Sequence, residues 1–323
     1  IDTIIRRGFT HFYPDDVVLR AFTVPLTDRY MIKNQRQEPE RMDFFFSYGS
    51  DSLPKMRGLN FDADSAFIVD ASIKKDTITY WLKDTALVNR DSLEIEYSYH
   101  ITDTLGQLVP QTDTLLMVPK ISYEKRMKMH EKELEKWQKQ QDKFKKKGER
   151  YDSVWTPKPL DIRVTAPSSL TPESYLYFTM PAPLARCDTS KIHLQAKVDT
   201  LWVPQKFDWQ PRPQSILSYR LEAVWTPGTE YQLEIDSAAF ESIYGIVNDK
   251  MKSTLKCKSE DEFGSLVVKI GGLPDSTTAI VQLLDKQDGV VKEARTQDDG
   301  SAEFYWLSEG KFYRRAFIDR KGN

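Results

Sequence analysis

Residues 122–148, SYEKRMKMHEKELEKWQKQQDKFKKKG, constrain the fold more than any other stretch: they form the one long helical pattern, and they separate two β-rich halves. Tyr123, Met127, His130, Leu134, Trp137, Gln141 and Phe144 follow one another at alternating steps of four and three, the spacing of a heptad seam. Ser122 is a suitable N-cap, and Gly148 suits the residue just past the end. Glu124 with Lys128, Glu135 with Lys139 and Asp142 with Lys146 set an acid four residues before a base, each pair worth only ~0.3 kcal/mol on an exposed face. The spacing predicts a rod of roughly 35–40 Å. One narrow apolar seam does not stabilise an isolated helix, so it must lie on something. It packs on its own β-domains as a strut, docks a partner protein or lies on a membrane surface, and Met127, Leu134, Trp137 and Phe144 are the candidate partner-binding residues. The expected arrangement is mixed, with the ends near Tyr123 and Phe144 packed at home and the middle open to a partner.

On either side the pattern changes to short strands. Residues 17–24, 42–48, 66–71, 77–82, 93–101 and 115–118 are rich in aromatic and β-branched residues and are bounded by Asp, Asn, Ser, Pro and Gly. Leu93, Ile95, Tyr97 and Tyr99 alternate with Glu94, Glu96, Ser98 and His100, so one face is apolar and the other polar. After the helix, residues 160–164, 175–178, 192–196, 200–203, 219–224, 231–235 and 253–257 repeat the idea; seven strands are the number an immunoglobulin-like sandwich needs. An internal repeat links the halves. Leu93-Glu94-Ile95 precedes Gly106 and then Thr114-Leu115, and Leu233-Glu234-Ile235 precedes Gly245 and then Thr254-Leu255. From residue 265 the pattern shifts again, with Gly289 and Gly300 marking hairpin turns. The expected fold is therefore mainly β. A β-sandwich over 1–120 and the helix over 121–150 are followed by a second sandwich over 151–259 and a small β-domain over 260–323.

The chemistry a chain like this can carry is narrowed by what its residues do not assemble. A net charge of −2 gives no reason to expect nucleic acid, and no apolar run approaches the ~20 residues that cross a bilayer. His11, His100, His130 and His193 are scattered, with no HExxH, no GxSxG, no Walker loop and no GxGxxG. No cofactor, no metal site and no catalytic residue are expected. Cys187 and Cys257 exclude a disulfide-rich scaffold and either form one bridge or stay as two thiols. Trp202, Phe207, Trp209 and Trp225 lie near three prolines. Exposed, they would make an aromatic platform for sugar or peptide; packed under a loop, they would be core. The chain opens mid-pattern at Ile1 and reads as part of a longer or processed protein.

The run from Val164 through TAPSSLTPESYLYFTMPAPL, followed by Asp188-Thr-Ser-Lys-Ile192, resembles a bacterial Ig-like domain, and residues 219–245 fit its later strands. Residues 298–319, DDGSAEFYWLSEGKFYRRAFID, are similar to prealbumin-like, carboxypeptidase-regulatory-type modules. The whole arrangement resembles Ig-like-domain lipoproteins of Bacteroidota outer membranes. That resemblance implies tandem Ig-like sandwiches, an extracytoplasmic place, an N-terminal lipid anchor outside this chain, and partners among outer-membrane or cell-surface proteins. The function it implies is a non-catalytic scaffold or accessory subunit. The alternative is a surface adhesin or glycan- or peptide-binding module using the Trp202 and Trp225 region, and a third is an enzyme subunit whose chemistry lies elsewhere.

Overall fold

The computed structural model describes residues 27–167, 170–273 and 277–318. The strand expected over 17–24 and His11 lie outside these residues. The chain is mainly β with one long helix. Among the described residues, seven strands come before that helix: β1 (Met31–Gln35), β2 (Arg41–Phe46), β3 (Lys55–Gly58), β4 (Phe67–Ala71), β5 (Thr77–Leu82), β6 (Leu93–Thr102) and β7 (Leu108–Met117). Between β5 and β6 lies one helical turn, α1 (Thr85–Val88), capped by the Asp84 side chain, which accepts the Ala86 N–H at 2.8 Å. The strands form two antiparallel sheets in the orders β1-β2-β5-β4 and β3-β6-β7. Lettered A to G in chain order, these are ABED and CFG, the constant-type immunoglobulin arrangement. The alternation in β6 places Leu93, Ile95, Tyr97 and Tyr99 in the core, facing Met42, Phe44, Ile78 and Tyr80 of the other sheet. Phe44 stacks on Tyr97 at 4.2 Å and meets Tyr80 edge-on at 5.6 Å. Such pairs contribute about 0.5–1.5 kcal/mol beyond their area burial.

The long helix, α2 (Tyr123–Lys147), leads into ten strands: β8 (Arg163–Thr165), β9 (Tyr175–Thr179), β10 (Leu184–Cys187), β11 (Ile192–Val198), β12 (Leu201–Pro204), β13 (Phe207–Pro211), β14 (Ser218–Ala223), β15 (Glu230–Ile235), β16 (Phe240–Ser242) and β17 (Met251–Lys256). Their sheets run β13-β14-β9-β8 and β12-β11-β15-β17, with β10 and β16 paired as a separate ribbon. Lettered in the same way, one sheet is again DEBA, and the other is CFG with one added strand, β12, beside C. In both sandwiches the chain beyond the first strand bridges in parallel to the end of the last, Arg36 to Pro119 and Leu170 to Cys257. The Leu-Glu-Ile repeat falls on β6 and β15, the same strand in each copy. The following glycines, Gly106 and Gly245, both turn with positive φ, at 76° and 74°.

The last five strands among the described residues are β18 (Gly264–Lys269), β19 (Ala279–Leu284), β20 (Val290–Arg295), β21 (Ser301–Leu307) and β22 (Tyr313–Ile318), in sheets β18-β21 and β20-β19-β22. They enclose a small core of their own around Val281, Leu283 and Phe304. Neighbouring units are tied by side chains. The Tyr244 hydroxyl, between β16 and β17, donates to the Leu82 carbonyl at 2.9 Å, and its ring packs on the first core. Asp70 on β4 accepts from the Ser215 hydroxyl at 2.6 Å and the Ile216 N–H at 3.0 Å. Lys292 on β20 pairs with Glu173 at 2.6 Å.

Candidate functional site

The helix is capped at both ends by residues the sequence marks for it. The Ser122 side chain accepts from the Lys125 N–H at 3.4 Å. At the other end Gly148 takes a left-handed φ of 72°. Its N–H bonds to the Lys145 carbonyl and the Glu149 N–H to the Phe144 carbonyl, the paired pattern of a Schellman stop. Ten Lys or Arg against five Asp or Glu leave the element basic, with Lys145, Lys146 and Lys147 in the last turn, where they complement the helix dipole. Lys128 bonds Glu124 at 2.5 Å, one of the four-residue acid–base pairs.

What the seam lies on differs from a strut packed on a sandwich. Arg126, His130, Leu134, Trp137, Gln141 and Phe144 are half-buried, and no helix residue is fully buried. The cover comes from the chain immediately after the helix, residues 151–158, which doubles back along it without regular structure. The Gln141 side-chain carbonyl accepts the Asp152 N–H at 2.9 Å. Lys145 lies over the Tyr151 ring at 5.6 Å, His130 meets Trp155 edge-on at 4.8 Å, and Lys158 reaches Glu133 at 3.8 Å. The first sandwich holds only the N-terminal turn of the helix: Tyr123 N–H donates to Asp91 at 2.5 Å and Arg126 to the Val88 carbonyl at 3.2 Å. Among the described residues, no strand packs along the rod. Tyr123 is therefore exposed rather than packed at home: its backbone N–H is held by Asp91, and its ring meets the Arg126 guanidinium of its own helix at 5.5 Å. Met127 is 39% exposed, while Leu134, Trp137 and Phe144 each keep one side open.

The four aromatic residues of the expected ligand platform do not share a surface. Trp225 is 1% exposed and belongs to the second core, where its indole N–H donates to the Ser174 carbonyl at 2.7 Å. Trp209 projects inward from β13, stacked on Tyr219 at 5.4 Å and packed on Phe178 and Phe240. Phe207, two residues earlier on the same strand, also packs against that core. Phe207 and Trp209 are half-buried, and of the four Trp202 alone, on the edge strand β12, is exposed, with the Lys197 ammonium 5.9 Å from its ring. The period of two in β13 points Phe207 and Trp209 to one face, and burial decides that the face is the interior.

The remaining chemistry-bearing residues are dispersed. His193 bonds Asp236 at 2.9 Å on an exposed face, where Lys250 also reaches Asp236, and these partners hold the Asp236 carboxyl below its usual range. His100 is exposed at the far end of β6. Cys187 is exposed and Cys257 buried; both are free thiols, and burial pushes both upward in pKa. Among the described residues no group of three or more His, Cys, Asp or Glu side chains is placed to hold a metal ion. No described helix is long and apolar enough to cross a membrane.

No family model and no curated protein matches the chain. Among solved structures it is similar to the I-band fragment I67-I69 from titin, at 8% identity and a TM-score of 0.18, over 91% of this chain and 95% of that one. It is similar to the T6 backbone pilin of serotype M6 Streptococcus pyogenes at 8% identity and a TM-score of 0.18, over 77% of this chain and 65% of the pilin. A fragment of protocadherin gamma B2 spanning extracellular cadherin domains 3–6 scores 0.18 at 8% identity, over 87% of this chain and 65% of that one. At scores this low these likenesses carry no argument about what the chain does, and the sandwich assignment rests on its own strand order.

Proposed function

We propose that this chain is a non-catalytic, extracytoplasmic scaffold or accessory subunit of an outer-membrane protein complex, acting through protein–protein interfaces and related to the Ig-like lipoproteins of Bacteroidota. The observation behind this reading is the helical arm. It is fastened to the first sandwich at one end, strapped by its own return segment, and otherwise unpacked, so that Met127 and one side of Leu134, Trp137 and Phe144 stay open. Tyr244 and Asp70 tie the two larger sandwiches to each other, which makes a spacer able to carry such an arm at a set angle. Aromatic residues of this kind anchor interfaces when a partner covers them. The test is purification of the native full-length protein with its stably bound partners, compared with Met127→Glu combined with Trp137→Glu. Leu105→Glu, at an 80% exposed position on the first sandwich, serves as the control. The expected result is a partner kept by the parent and the control and lost by the double variant. A partner retained by all three, or by none, would overturn the reading.

A further inference from the structure

Two arginines of the first sandwich are almost fully buried, Arg29 at 1% and Arg36 at 2% exposure, and their surroundings differ. The Arg36 guanidinium is spent on backbone carbonyls, those of Pro39, Leu87, Val88 and Arg90. Arg29 donates through Nη1 to the Tyr48 carbonyl and lies over the Phe46 ring at 4.0 Å, but its Nε has no partner. No carboxylate among the described residues pairs with it. Its backbone is fixed by the Thr102 hydroxyl, which accepts the Arg29 N–H at 2.8 Å, so the side chain has little freedom to leave. A buried guanidinium with neither a counter-ion nor a full set of acceptors is costly. Burial accordingly lowers the pKa of Arg29, while Tyr97 and Asp76 act in the opposite direction.

Arg29 lines a cleft of about 290 Å³ whose walls also include Ser50, Ser52, Leu53, Lys55 and Tyr99. Lys55 adds a second positive charge. Ser50 Oγ accepts the Ser52 N–H at 3.4 Å, which leaves its own hydrogen to donate. The Tyr99 hydroxyl is committed to Asp113 at 2.5 Å, which is also held by Gln111 at 2.7 Å, so Tyr99 offers the cleft its ring. Two cations and hydroxyl donors against an apolar wall, in a space at the small end of ligand clefts, suit one oxyanion on a short hydrocarbon stem. We propose that this cleft binds a small carboxylate carried on an apolar stem, with Arg29 as its counter-ion.

The experiment is an NMR titration of the full chain that follows the Arg29 Nε–Hε resonance, assigned by its loss in Arg29→Gln. Sodium hexanoate is the probe; hexan-1-ol supplies the same stem without the charge, and inorganic phosphate supplies an oxyanion without the stem. The expected result is a saturable shift of that resonance and of the Ser50 and Ser52 amides with hexanoate. Hexan-1-ol should produce no such shift. Arg29→Gln should weaken hexanoate binding by about tenfold or more, and Lys55→Gln by about threefold, in keeping with charge-assisted hydrogen bonds being the stronger ones. No saturable shift, or an equal response to hexan-1-ol, overturns the proposal. Phosphate binding as tight as hexanoate overturns the assignment to a carboxylate on an apolar stem. If circular dichroism shows that Arg29→Gln does not fold, Lys55→Gln and Ser52→Ala decide the matter, and unchanged hexanoate affinity in both overturns it.

Discussion

At the residue scale, the strongest local constraints are single polar groups buried with committed partners. Tyr231 stands at the start of β15, and its hydroxyl reaches back to accept the Thr226 N–H at 2.6 Å. This is the tyrosine corner found where strands E and F of such sandwiches meet. Tyr231→Phe keeps the ring against Trp225 but strands that N–H, so it is expected to cost about 1–3 kcal/mol, read from urea unfolding. Arg36 plays a comparable part in the first sandwich, joining the β1–β2 turn to the end of α1. Burial is the main cause of its pKa falling to about 10, with the neighbouring Arg126 second. Arg36→Met fills similar space without the donors. It is expected to cost about 3 kcal/mol in the same measurement, because four carbonyls lose a charged partner. Nothing in the surrounding sequence, Asn34-Gln35-Arg36-Gln37, marks that arginine as interior; its burial follows from β1 meeting α1 across a gap of about fifty residues.

At the element scale, the helix illustrates how local signals and tertiary cover divide the work. Its limits are set by Ser122 and Gly148, and Gly148→Ala, forced to hold a φ of 72°, is expected to destabilise the last turn by about 1 kcal/mol. Its cover is the return strap, pinned chiefly by Trp155 against His130. Trp155→Ala is therefore expected to speed amide exchange in residues 150–158 and at the middle of α2. Global unfolding should shift by less than about 0.5 kcal/mol, since neither sandwich core includes the strap. Hydrogen exchange with mass spectrometry separates the two effects; a large fall in global stability would mean that the arm is part of a sandwich core after all.

At the scale of the whole molecule, alkali offers a common readout of the first sandwich and its junction with the second. Tyr80, Tyr97, Tyr99 and Tyr244 all have pKa values raised above the ordinary 10.0, in each case mainly by burial. Between the ordinary value and the raised ones the folded state holds protons that the unfolded chain has lost. The stability they represent is thus fully present below about pH 10 and drains away as the pH climbs above it. Phenolate absorbance and far-UV circular dichroism are expected to change together above that point; ionisation of all the tyrosines with the sheets intact would contradict it. The sequence by itself determined much of this architecture. The alternation in β6 and β15, the repeated Leu-Glu-Ile and Gly pair, and the capped heptad helix are local periodicities that report on one element at a time. It did not reveal β1, β3, β10, β13 and β16, which are short, sit at sheet edges or in a two-stranded ribbon, and are defined by the strand they pair with. Nor did it separate Trp202 from Trp209 and Trp225, or show that a strap rather than a sandwich would cover the helix. Those outcomes were decided by the tertiary structure, because burial and strand pairing join residues far apart in the chain, and no short window of sequence carries that information.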